Sequence, residues 1–202
     1  MRQTSPPRWS LVAFVIIGTG VFTAPDIAQA FTGQAKAVQA SVGGVPTVLA
    51  DTGPLGGPGG AIFPQLDARE VSLPQGTIPS LLTSEVLHAT TIGRVDRVES
   101  EASLGNLILS LAGNRISADF VMARAKAVTG RAGRGTSEIA GLLINGLQIH
   151  PTGAPNQRVD LAGGRIVINE QLISPAGTIV NALHIVVDGV ADVVIASANA
   201  SP

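Results

Sequence analysis

From residue 31 onward the chain alternates short apolar stretches with turn-forming residues. Runs rich in β-branched residues and alanine are bounded by Gly, Pro, Asn and Asp. No long stretch keeps an apolar stripe at i, i+3, i+4 and i+7 free of Gly and Pro behind a capped start. The pattern predicts strands over 34–42, 46–50, 85–92, 95–103, 116–128, 136–144, 147–150, 165–169, 178–187 and 190–198. Residues 104–111 are read as a short helical turn. Many short strands joined by hairpins predict an all-β fold, an antiparallel β-sandwich of about eight to ten strands.

Two dipeptides fix hairpins. Asn145-Gly146 lies between Leu142-Leu143-Ile144 and Leu147-Gln148-Ile149, and Asp188-Gly189 between Ile185-Val186-Val187 and Val190-Ala191-Asp192. Both suit a two-residue type I′ turn, in which both central residues take positive φ. That reading pairs Ile144 with Leu147 and Val187 with Val190. It sets His184 opposite Val193 and Ile185 opposite Asp192, so His184 and Asp192 face opposite sides. Both faces of the second hairpin are largely apolar, which predicts a central, covered pair.

Residues 51–64 supply few packing side chains, with glycines at 56, 57, 59 and 60 around Pro58. They read as a surface loop or linker. A second irregular stretch spans 151–155. Neither divides the chain into halves large enough to be separate domains, and no repeat of solenoid length is visible. A single domain over residues 31–202 is expected.

Residues 1–30 read as a secretory signal peptide. Arg2 and Arg8 precede a charge-free run from Leu11 to Phe22, and Ala28-Gln29-Ala30 places small residues where a signal peptidase cuts. A membrane span needs about 20 apolar residues, and Pro25 and Asp26 close this run short of that. The expectation is cleavage after Ala30, with an uncleaved anchor as the alternative. The mature chain then has no integral membrane span and is secreted, or held at the cell envelope.

Composition narrows the chemistry. The 202 residues carry 13 basic and 14 acidic side chains, a net charge of −1. There is no basic field for nucleic acid. With 3% aromatic residues, and only Phe31, Phe63 and Phe120 beyond residue 30, there is almost no platform for stacking bases or sugar rings. The chain has no cysteine, which removes thiolate catalysis, zinc–thiolate sites and iron–sulfur clusters.

Candidate chemistry rests on three histidines, His88, His150 and His184. None has a second ligand at i+2 or i+4. Glu85 and His88, three apart, fall on opposite faces of a regular strand. Asp192 is a carboxylate inside an apolar strand and needs a partner or an edge. Glu99 and Glu101 alternate with Arg97 on one solvated face. Arg124, Lys126, Arg131 and Arg134 cluster around the glycine–arginine stretch 130–135, read as a turn with solvated arginines. Such loops can also hold anions on backbone N–H groups, but this one lacks the ending of a P-loop. Nucleophile elbows, zinc-binding helices and EF-hand loops are absent from the sequence. No catalytic, cofactor-binding or metal residue is therefore assigned, and no cofactor is expected.

Residues 136–198 resemble the bacterial choice-of-anchor P family of exported proteins. The likeness is carried by Ile139-Ala140-Gly141-Leu142-Leu143-Ile144-Asn145-Gly146, by Arg165-Ile166-Val167-Ile168-Asn169-Glu170-Gln171, by Ile179-Val180-Asn181-Ala182-Leu183-His184-Ile185 and by Ala191-Asp192-Val193-Val194-Ile195-Ala196-Ser197-Ala198. Residues 42–48, Val-Gly-Gly-Val-Pro-Thr-Val, fit the same pattern. The resemblance implies a secreted or surface protein, and it brings no catalytic residues. Only Asn199-Ala200-Ser201-Pro202 follow the last predicted strand, without the anchoring signal of an anchored member.

Two functional classes follow. The first is a non-enzymatic secreted or cell-surface β-domain with a structural, adhesive or envelope-associated role. The second is a secreted small-ligand binder or hydrolase whose site is assembled from separate loops, His88, His184 and Asp192 being the residues to bring together. Self-association by strand addition is a further possibility, with 34–42 and 191–198 as the candidate edge strands.

Overall fold

The computed structural model describes residues 31–55, 67–94 and 96–201. The signal-peptide reading and most of the Gly/Pro-rich loop lie outside these residues. The described chain is all strand and turn, with no helix. Its thirteen strands are β1 (Thr32–Val42), β2 (Val45–Asp51), β3 (Asp67–Ile78), β4 (Leu82–Arg94), β5 (Arg97–Leu111), β6 (Asn114–Val128), β7 (Arg134–Ala140), β8 (Leu143–Ile144), β9 (Leu147–Gln148), β10 (Gln157–Leu161), β11 (Gly164–Ser174), β12 (Gly177–Val187) and β13 (Ala191–Ser201). They form two antiparallel sheets, β10-β11-β12-β13-β1-β2 and β3-β4-β5-β6-β8-β9, with β7 also paired to β6. The sheets pack face to face as a β-sandwich.

Two strands escaped the sequence pattern, and both are edges. β3 carries Arg69, Glu70, Pro74 and Gly76, and β10 carries Arg158 and Asp160. Charge and proline are what exposed edges use to block further pairing. The strands expected at edges are instead central: β1 and β13 pair with each other, Thr32 with Ser201 through Val42 with Ala191. Strand addition through either is therefore blocked.

Residues 104–111 are strand, not helix. Leu104, Leu107, Leu109 and Leu111 all point into the core, and the three-residue step after Leu104 has a structural cause. Asn106, at φ +48°, is skipped by the ladder together with Asp119 opposite it. Pro74 and Val86 are skipped between β3 and β4. In the other sheet the same thing happens at Asn169, Ala182, Ala196, Ala37 and Ala50. Each strand gains one residue at its bulge, so the in–out alternation slips by one along a line crossing the sheet. β12 illustrates the slip: Thr178 and Val180 face inward before it, and Leu183, Ile185 and Val187 after it.

The core is aliphatic. Its largest fully buried side chains are leucines and isoleucines, and β1, β6 and β13 contribute alanines that let the sheets approach. One close approach is at Gly33, where a Cβ would lie 2.6 Å from a Val98 methyl. Beside it a buried hydroxyl chain runs from Thr52 to Thr91 (3.3 Å), Thr91 to Ser100 (3.2 Å) and Ser100 to the Asn199 carbonyl (2.6 Å), joining the two sheets.

Candidate functional site

The turns decide what meets on the outer face of the first sheet. At Asn145-Gly146 both residues have positive φ, +51° and +80°, and Ile144 pairs with Leu147 as expected. The Asn145 side chain accepts from the Arg115 N–H at 2.8 Å. At Asp188-Gly189 only the glycine has positive φ, +69°. Val190 N–H donates to the Val187 carbonyl, and Gly43 N–H donates to the Val190 carbonyl. Val190 thus belongs to the loop, and Val187 pairs with Ala191. The register differs by one residue from a type I′ hairpin, setting Ile185 opposite Val193 and Val186 opposite Asp192.

That single residue brings His184 and Asp192 to the same face. His184 Nε2 lies 3.1 Å from Asp192 Oδ1, and His184 Nδ1 lies 2.9 Å from Glu170 Oε2. Glu170 is brought there by the bulge at Asn169, which turns it outward, and it accepts a further hydrogen bond from Asn181 Nδ2 at 2.6 Å. The expectation that His184 and Asp192 could not meet is corrected: three adjacent strands, β11, β12 and β13, present an acid–imidazole–acid row. Glu170 was not singled out in the sequence, because its partnership depends on the bulge.

The row's chemistry is limited by its own bonds. Both imidazole nitrogens face carboxylate oxygens, so neither is free to accept a substrate proton or ligate a metal while the row is intact. A protonated ring donates to both carboxylates; a neutral ring donates to one. The row also lies on an open sheet face.

His88 sits on the other sheet, paired across strands with Ser72. Ser72 Oγ lies 2.9 Å from His88 Nδ1, and Glu70 Oε1 lies 3.8 Å from that same nitrogen. A serine–histidine–acid relay needs serine and acid on opposite ring nitrogens, and this arrangement does not supply it. The slip at Val86 places Glu85 and His88 both outward, contrary to the opposite faces of a regular strand, yet Glu85 is engaged by Asn106 Nδ2 at 2.6 Å. His150 is exposed after β9. The three histidines do not converge. Among the described residues no three His, Asp or Glu side chains are arranged to hold a metal ion.

The charged face of β5 and β6 is ion-paired. Lys126 Nζ lies 2.6 Å from Glu99, which Arg97 also approaches at 3.7 Å, and Arg124 pairs with Glu101. The hydrogen bond from Lys126 holds the Glu99 carboxyl below the usual carboxylate range, against a smaller opposing effect of burial. Of the basic cluster, Arg131 and Arg134 have no acidic partner within 4 Å among the described residues. No described helix is long and apolar enough to cross a membrane.

No family model, curated protein or solved structure matches this chain.

Proposed function

We propose that the chain is an exported, non-enzymatic β-sandwich module with a structural, adhesive or envelope-associated role outside the cytoplasm. Its resemblance to the choice-of-anchor P family supports the exported or surface location. One observation carries the reading. Thr32 pairs with Ser201, so both ends of the described chain leave the same end of the sandwich. The opposite end then stands away from whatever either end is joined to. There the 43–44 and 188–190 turns, joined by the Gly43–Val190 hydrogen bond, expose Val42, Val45 and Val190. A module with exposed apolar side chains at the end away from Thr32 and Ser201 suits contact with a neighbouring surface.

The contact of His184 with Asp192 favours the alternative, a ligand-binding or hydrolytic site. Engagement of both ring nitrogens weighs against it, and the row reads better as a clasp across three strands.

Fractionating cells that express the full chain tests the proposal. The expected product begins at Phe31 and is recovered from the envelope or the medium, with Val45→Asp lowering its retention in the envelope. Retention of the intact chain in the cytoplasm overturns the reading, as does hydrolytic activity abolished by His184→Gln.

A further inference from the structure

At the end where Thr32 and Ser201 pair lies a half-open cleft. The β11–β12 turn and the β6–β7 loop border it, and it holds about 550 Å³. Ala127, Ala132, Ile173 and Pro175 provide aliphatic walls, and Gly130, Gly133 and Gly177 provide bare backbone. Among the described residues Arg131 is the one charged residue lining it. Two features are left unused by the fold. Ile173 is 51% exposed at the cleft. Arg131 has no acidic partner among the described residues, whereas Arg124 and Lys126 on the adjoining strand each have one.

The volume falls among small-molecule sites, which run from about 300 to 1,000 Å³ and combine apolar walls with a few polar groups. Among the described residues the walls hold no aromatic side chain, so these offer no stacking for a nucleobase or sugar. A single guanidinium matches a single carboxylate, whose two oxygens its planar donors can engage together.

We infer that this cleft binds a small aliphatic carboxylate, its chain against Ala127, Ala132, Ile173 and Pro175 and its carboxylate on Arg131. The site is separate from the His184 row and from the valine-bearing end, so it stands or falls independently of the proposed surface role.

The test uses protein purified from cells expressing the full chain, with ¹³C-methyl NMR of Ile173 as the readout. Decanoate, decanol and decylamine serve as probes sharing one chain and differing in the head group. Decanoate is expected to shift the Ile173 methyl signals saturably, with decanol weaker by about tenfold, the scale of a charge-assisted hydrogen bond. Decylamine is expected to be weaker still. Arg131→Gln should bring decanoate to the level of decanol. Ala132→Trp, an exposed loop substitution that fills the cleft, should abolish binding without moving the melting temperature. Equal binding of all three head groups overturns the proposal, as do unmoved Ile173 signals. Tighter binding of a peptide with an apolar C-terminal residue than of decanoate overturns it too, and assigns the cleft to chain ends instead.

Discussion

His184 and Asp192 are eight residues apart and joined at 3.1 Å because Val190 belongs to the turn and not to β13. A hairpin with two loop residues would send the two side chains to opposite faces. With a third loop residue they share one face, and the imidazole bridges toward Glu170 on β11. The dipeptide Asp188-Gly189 admits both hairpins. The longer one is held by Gly43 N–H on the Val190 carbonyl and by Asp188 N–H on the Gly163 carbonyl, contacts made by neighbouring turns.

The two acids of the row should contribute unequally. Glu170 and His184 are about one-fifth exposed, whereas Asp192 is 59% exposed. His184→Ala strips Glu170 of its imidazole partner and should cost about 1–3 kcal/mol. Asp192→Asn should cost no more than about 0.5 kcal/mol, as exposed ion pairs do. Urea denaturation of the two variants and the double variant measures both terms and their coupling. Equal losses at the two positions would show that the row is not graded by burial.

The sandwich class was legible in the chain because most strands keep apolar runs between Gly, Pro, Asn and Asp. The slip along both sheets was not, since it replaces strict alternation with a three-residue step. Leu104, Leu107 and Leu111 are spaced as a helix face would be, yet they are one strand interrupted at Asn106. The same slip hid the Glu170–His184 pair, because outward orientation of Glu170 follows from the bulge at Asn169. The edges β3 and β10 were missed for a different reason. Their charges and proline protect them as edges and lower their strand signal in the sequence.

Val86 should be strained. It is β-branched, its φ is +49°, and it is 70% exposed. Left-handed backbone costs a residue with a Cβ about 1–2 kcal/mol, and an exposed valine recovers little by packing. Val86→Gly should therefore raise stability by about 1 kcal/mol, and Val86→Asn by somewhat less. Thermal unfolding checks it; a fall in melting temperature for both variants would show that the side chain is needed where it is.

Thr178 is fully buried and its hydroxyl has no hydrogen-bond partner. Removing an unpaired buried hydroxyl while keeping the shape should stabilise, so Thr178→Val is expected to gain about 1 kcal/mol. The same hydroxyl explains Gly133, where any Cβ would overlap Thr178 Oγ1. Gly133→Ala should destabilise the wild type and be partly rescued by Thr178→Ala. Denaturation midpoints of the four proteins decide it, and a Gly133→Ala loss unchanged in the Thr178→Ala background would disprove the overlap.

The Glu99–Lys126 pair predicts a pH dependence with a definite sign. Because Glu99 titrates below the usual carboxylate range in the folded chain, folding favours its ionised form. Its stabilising contribution is complete above the unfolded value, roughly 4.3, and fades as pH falls through the lower folded value. Lys126→Gln removes the principal cause of that shift. The stability difference between wild type and Lys126→Gln should thus be present at pH 7 and shrink toward pH 3. It should also weaken as salt is raised, since both side chains are about two-fifths exposed. Urea titrations at the two pH values measure it. A difference that grows on acidification would mean that Lys126 acts through its packed methylenes, its charge being incidental.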